Sequence, residues 1–256
     1  MGMAFARSFV QYDLVKKEDL LLIEKSAERS EMLRSQKEGV VVDTINGSVG
    51  EYELVILSVK PQDFTSVTAE LRGFLRPEQV VLSIMAGIPM AKIQAELNHR
   101  QVVRAMPNTP AMLGQGITGY CAAEGISFQK LQRIDNLINA TGRSVYLENE
   151  ELIDAVTALS GSGPAYFYYL VKHMVEAGVK MGFDEGLSRL LVKQTMLGSY
   201  HLINNAEKSL DELIAAVASK GGTTEAALKT FEENRLGLSL IEGILKAEER
   251  AKELSR

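Results

Sequence analysis

Short runs built almost entirely of β-branched and aliphatic residues fill the first half of the chain, at 20–23, 40–42, 54–59, 80–84 and 102–106. A run without polar alternation reads as a strand covered on both faces. Polar stretches with helical spacing, such as 26–36, separate the first of these runs. Strand–helix–strand alternation builds a parallel sheet with helices on both sides, because parallel neighbours need a crossover connection. Two further extended segments, 116–123 and 143–147, are expected to add edge strands. Beyond Leu147 the strand pattern stops. Apolar residues instead recur three and four apart, as at Leu187, Leu190, Leu191 and Leu197 and at Leu236, Leu240 and Ile244. Helices are therefore predicted over 151–159, 165–181, 184–204, 209–218 and 224–254. The reading is an α/β domain over 1–147 and an all-helical domain over 148–256.

Charge and soft ligands bound what such a chain can do. Of its 256 residues, 28 are Lys or Arg and 33 are Asp or Glu, a net charge of −5. That balance gives no electrostatic footprint for nucleic acid or an anionic membrane. The one cysteine, Cys121, excludes an internal disulfide and fits a reducing compartment. His99, His173 and His201 lack ligand spacing, so no metal site is expected. No apolar run reaches the roughly 20 residues of a membrane span, and no signal-peptide pattern opens the chain. A cytoplasmic protein acting on a small molecule is the expectation.

The stretch from Met1 to Val10 reads as a helix. In a dinucleotide-binding Rossmann fold such a helix follows a strand and a Gly-x-Gly-x-x-Gly turn, whose amides and helix N-terminus hold a pyrophosphate. Gly2 can only be the last of those glycines, with Met1 beside it. The expectation is a Rossmann-type parallel sheet whose first strand, normally central, is missing from the amino end. A helix that simply begins Met-Gly-Met is the plainer alternative.

Small, turn-forming clusters end three successive runs: Ser58-Val59-Lys60-Pro61, Met85-Ala86-Gly87-Ile88 and Met106-Pro107-Asn108-Thr109-Pro110. Ligands of open parallel sheets bind at that edge. Each cluster alone is how strands end; three together predict a lined cleft. In the helical half, Ser160-Gly161-Ser162-Gly163-Pro164-Ala165-Tyr166 places a turn before a helix, with proline suited to its first turn. Ser219-Lys220-Gly221-Gly222-Thr223-Thr224 precedes the last long helical stretch. Paired glycines let N–H groups converge at a helix N-terminus, a candidate carboxylate site. A plain N-cap at Thr223 or Thr224 is the structural alternative.

These segments, in this order, resemble the pyrroline-5-carboxylate reductase family over essentially the whole chain, with Lys220 where the family commonly has proline. The resemblance implies a Rossmann half and a helical dimerisation half, assembled as a homodimer or as a decamer of five dimers. It implies hydride transfer from NADPH, or from NADH, to the C=N carbon of a cyclic imine carboxylate in the last step of proline synthesis. By match to the family motifs, Ser219, Gly221, Gly222, Thr223 and Thr224 hold the substrate carboxylate. Thr224 is the catalytic candidate, its hydroxyl approaching the ring nitrogen. Glu207 faces this loop unless it is a solvated helix-end acid. Met1, Gly2, Ser58, Val59, Lys60, Pro61, Ala86, Gly87 and Asn108 line the cofactor cleft, and Asn46 reaches its adenosine side unless it only shapes an Asn-Gly turn. After the run at 20–23, Glu24 suits the ribose hydroxyls of NADH, whereas Lys25 and Ser26 suit the 2′-phosphate of NADPH. Two other readings stay open. One is a β-hydroxyacid-type dehydrogenase with Lys172 as general base; the other is a non-catalytic oligomeric scaffold.

Overall fold

The structure, a computed structural model, describes residues 1–255. Helix α1 (Gly2–Gln11) is followed by β1 (Leu21–Ile23), α2 (Ala27–Ser35), β2 (Val40–Val42), β3 (Leu54–Leu57), α3 (Phe64–Leu71) and β4 (Val80–Ser83). Then come α4 (Met90–Leu97), β5 (Val102–Met106), β6 (Gly116–Ala122), α5 (Phe128–Asn139) and β7 (Gly142–Tyr146). Strands β1 and β2 pair in parallel as a sheet of their own, and the other five form a second sheet in the order β3-β4-β5-β6-β7. Its first three strands are parallel, β6 is antiparallel to β5, and β7 is parallel to β6. Of the two expected edge strands, β7 is one and β6 is not. A short connection after β5 returns β6 along it antiparallel, and the far side of β6 pairs with β7.

Alternation along the central strands divides the core. Val80, Leu82, Ile84, Val103 and Ala105 pack with Phe5 and Phe9 of α1 and with Ile134 and Ile138 of α5. Val81, Met85 and Val102 pack with Phe64 and Leu71 of α3 and with Ile93 and Leu97 of α4. Side chains of period two in a sheet covered on both faces require this division. Strands β1 and β2 depart from that pattern, with Ile23 38% and Val40 44% exposed. A two-stranded sheet with α2 against β2 leaves part of each strand to solvent.

Cys121 lies in β6, buried, and burial, with Glu150 as a lesser cause, pushes its thiol up to about 12. The thiolate is the reactive form, so the native chain is expected to resist iodoacetamide in mildly alkaline buffer and to be alkylated on adding denaturant. Mass spectrometry reads both states; full labelling of the native chain would contradict this account.

From Leu152 the described chain is helical: α6 (Leu152–Val156), a π-helical turn (Thr157–Gly161), α7 (Gly163–Lys180), α8 (Glu185–Asn205), α9 (Leu210–Val217), α10 (Thr223–Glu233) and α11 (Leu236–Leu254). Local chemistry sets these starts. Asp184 accepts from the Leu187 N–H, and Ser209 and Glu212 form a reciprocal capping box. The single helix expected over 224–254 is two, because Arg235 adopts a φ of 55°, a left-handed conformation that an α-helix cannot continue. Two compact units result, one of Met1–Pro164 with the stretch from Ala247, the other Ala165–Lys246. Among the described residues, no helix is long and apolar enough to cross a membrane, and no group of three or more His, Cys, Asp or Glu side chains is placed to hold a metal.

Candidate functional site

In the sheet-containing unit the strand ends gather the first set of residues. Ser58-Val59-Lys60-Pro61 follows β3, Ala86 and Gly87 follow β4, and Asn108 follows β5. Gly2 lies so close to Ser58 that a Cβ on it would collide with the serine hydroxyl. Glycine alone lets the start of α1 stand against the end of β3. Met1 caps this helix with no side-chain hydrogen bond. Gly87 adopts a φ of +71°, and a Cβ there would come within 3.1 Å of Leu254. A glycine-tight helix start beside parallel strand ends fits a dinucleotide's pyrophosphate. Around it, Asn108 accepts through Oδ1 from the Ile117 N–H at 3.0 Å, which leaves its Nδ2 for a ligand. Lys60 is exposed, and Pro61 opens a 3-10 turn. Asn46 builds a turn: its Oδ1 accepts from the Ser48 N–H at 3.0 Å and from Ser48 Oγ at 2.7 Å, and its Nδ2 donates to the Thr44 carbonyl. Ser26 caps α2 by accepting from the Arg29 N–H, and Lys25 pairs with Glu70 at 2.6 Å.

The helical unit holds the second set. Gly221 has a φ of +71°, and the Gly222 N–H donates to the Ser219 carbonyl at 2.9 Å. The Ser219 hydroxyl lies where a Cβ on Gly222 would meet it at 2.5 Å. Gly222 is the N-cap of α10 and supplies no side chain, so neither Thr223 nor Thr224 caps the helix. The N–H groups of Thr223, Thr224 and Glu225 find no acceptor among the described residues. Unsatisfied donors and the helix dipole make this an anion-ready terminus. Glu225 folds back so that its Oε2 accepts from the Gly221 N–H at 2.6 Å; the turn already holds one carboxylate. Gly221, Gly222, Glu225, Ala226 and Lys229 line an open depression there. Glu207 is exposed between α8 and α9 and makes no hydrogen bond or ion pair to the turn among the described residues. Lys172 is solvated and pairs with Glu176 at 3.7 Å. The segment from Ser160 to Tyr166 ends the π-helical turn and starts α7.

Two features escaped sequence reasoning. Glu225 is one; its signal is an acid at the third helical position, where a side chain reaches back over the cap. The other is a buried charge cluster around Arg104, on β5. Arg104 donates through Nη1 to Glu150 and through Nη2 to Asp154, each at 3.0 Å, and Ser255 Oγ donates to the same Asp154 oxygen at 2.9 Å. Glu150 also accepts from the Met90 N–H at 2.7 Å, at the start of α4. An arginine inside an apolar run was the available signal, since a buried charge must be paired.

Known proteins bear on both sets. The family description "pyrroline-5-carboxylate reductase dimerisation" matches residues 150–254, and "NADP oxidoreductase coenzyme F420-dependent" matches residues 1–87. A pyrroline-5-carboxylate reductase of Pseudomonas aeruginosa is 41% identical over 84% of this chain and 79% of its own. That of Mycobacterium tuberculosis is 33% identical over 92% of this chain and 88% of its own. The Plasmodium falciparum pyrroline carboxylate reductase, solved with NADP bound, is similar at a TM-score of 0.90 and 26% identity, covering 100% of this chain and 95% of that one. The chain belongs to the pyrroline-5-carboxylate reductase family.

Proposed function

We propose that the chain reduces 1-pyrroline-5-carboxylate to L-proline, with NADPH as the hydride donor and NADH as a second one. The observation that carries this reading is the open start of α10, where successive N–H groups have no side-chain cap and the Ser219 hydroxyl lies beside Gly222. Such a terminus grips a carboxylate without a cationic side chain, and a cyclic imino acid presents one. In this role the N–H groups of Thr223 and Thr224 hold the carboxylate, with the Ser219 hydroxyl beside them. Glu225 yields the Gly221 N–H, and Gly222 shapes the turn. The Thr224 hydroxyl bonds the ring nitrogen. An unaided hydroxyl is a poor acid, so water delivers the proton. Glu207 is assigned the solvent side of the loop.

Met1, Gly2, Ser58, Val59, Lys60, Pro61, Ala86, Gly87 and Asn108 would hold the dinucleotide, with Lys25, Ser26 and Asn46 at its adenosine end. The dinucleotide supplies the hydride. The chain's own work is to hold the imine carbon in line for it. We assign residues 1–147 to cofactor binding and 148–256 to substrate binding and dimerisation, in the cytoplasm. Leu238, Ile241 and Leu245 on α11 are 51%, 56% and 57% exposed. Apolar surface of this kind is covered by a second copy, giving a homodimer, and five dimers a decamer.

The test is a dinucleotide-oxidation assay with 1-pyrroline-5-carboxylate, run beside dinucleotide reduction with a panel of 3-hydroxy acids. Turnover of the imine alone is expected. Turnover of a hydroxy acid alone would make the chain a β-hydroxyacid dehydrogenase, and turnover of neither would make it a scaffold.

A further inference from the structure

Two acids stand at the carboxyl ends of the smaller sheet. Strands β1 and β2 are parallel, with Ile23 opposite Val42, so Glu24 and Asp43 follow their strands side by side. Glu24 is 22 positions beyond Gly2, about the distance at which a dinucleotide fold places the group that reads the adenosine ribose. A carboxylate there accepts from the ribose hydroxyls, whereas a 2′-phosphate needs a cation.

Each cation at this rim already has an acid. Glu24 Oε2 pairs with Arg29 Nε at 3.2 Å, Arg34 pairs with Asp43 at 2.6 Å, and Lys25 pairs with Glu70 at 2.6 Å. These pairs differ in firmness. The Glu24 side chain is only 23% exposed and is fixed a second time, its Oε1 accepting from the Ser26 N–H at 3.0 Å. Ser30, fully buried, donates through Oγ to the Glu24 carbonyl at 2.6 Å and so holds the backbone in place. Lys25 and Glu70 are about half exposed, and such a surface pair opens readily.

Resting on the dinucleotide-dependent function above, we propose that the Glu24–Arg29 pair determines this chain's choice between NADPH and NADH. Glu24 presents an acceptor to the ribose diol of NADH and withholds the Arg29 guanidinium from the 2′-phosphate of NADPH. Lys25 remains able to turn from Glu70 to a phosphate, so NADPH is accepted without a large advantage. Removing the Glu24 charge leaves a neutral acceptor for the diol and frees Arg29 for a charge-assisted bond to the phosphate.

Fluorescence titration of the full chain with NADPH and with NADH tests this without relying on turnover. The wild-type dissociation constants are expected within about tenfold of each other. Glu24→Gln keeps an oxygen for the Ser26 N–H and should shift the ratio of the two constants about tenfold toward NADPH, the size of effect one charge-assisted bond gives. Adding Arg29→Met to Glu24→Gln should return the ratio to the wild-type value, with the melting temperature of each variant showing that it is folded. A purely structural role for Glu24 would weaken both dinucleotides alike and leave the ratio unmoved, which overturns the proposal, as does a wild-type preference of a hundredfold for NADPH. A shifted ratio in a chain that fails to reduce 1-pyrroline-5-carboxylate would uphold this specificity and overturn the function assigned above. Binding of neither dinucleotide overturns both.

Discussion

Arg104→Leu is expected to lower the unfolding free energy by about 3–5 kcal/mol, the cost of leaving buried charge without its partner. The guanidinium is 2% exposed and the Asp154 side chain 10% exposed, with 3.0 Å between Nη2 and the carboxylate. Glu150 faces the same guanidinium at 3.0 Å and is a quarter exposed. Without the cation, two carboxylates confront each other where water has little access. The loss should also reach Ser255, which accepts from Arg104 Nη2 at 3.4 Å and donates to Asp154, and so loosen the end of the chain from β5. Leucine fills part of the arginine's volume, which separates the electrostatic cost from that of a cavity. Denaturant titration of the wild type, Arg104→Leu and the triple variant with Glu150→Gln and Asp154→Asn checks the cause. Most of the lost stability should return in the triple variant, because neutral amides need no counter-charge. A loss below about 1 kcal/mol in the single variant would mean that these charges are hydrated like a surface pair.

Arg104 also marks where the sequence stops being legible. The run Val102-Val103-Arg104-Ala105-Met106 is recognisable as a strand because its neighbours are apolar, and the same apolarity hides what the arginine does. Its partners lie 46 and 50 positions downstream, in a stretch whose acids also suit a helix start. Helix starts governed by adjacent residues were readable: Ser26 ahead of α2, Asp184 ahead of α8 and Ser209 ahead of α9 act within four positions. That β4 and β5 are covered on both faces was readable from their unbroken apolar runs, but the interior place of β6 was not. Nothing in 116–123 says on which side another strand will lie. The break at Arg235 depends on one residue's φ inside a pattern that keeps helical spacing across it. At the Gly-Gly turn, motif and chemistry singled out the threonines. The carboxylate of Glu225 on the Gly221 N–H emerged only when the chain was folded.

That carboxylate sharpens what Thr224 should do. Thr224 is the second residue of α10 and Gly222 is the cap, so its hydroxyl has no capping bond to lose. Thr224→Ala should then move the melting temperature little, within the range of ordinary surface substitutions. Under the function proposed above, its effect falls on the reaction. As hydride reaches the imine carbon, the charge on the ring nitrogen changes, and a hydroxyl aimed there is worth most in the transition state. A lost hydrogen bond to a charged group costs about 1.5–3 kcal/mol, so kcat/KM for 1-pyrroline-5-carboxylate should fall by roughly one to two decades. Thr224→Ser keeps the hydroxyl and should keep most of the rate. Glu225→Gln provides the contrast. It weakens the internal carboxylate that competes for the Gly221 N–H and should lower KM while leaving kcat near the wild-type value. If Thr224→Ala instead lowers the melting temperature and leaves the turnover of the folded fraction unchanged, the threonine serves the helix and the site must be sought elsewhere on the turn.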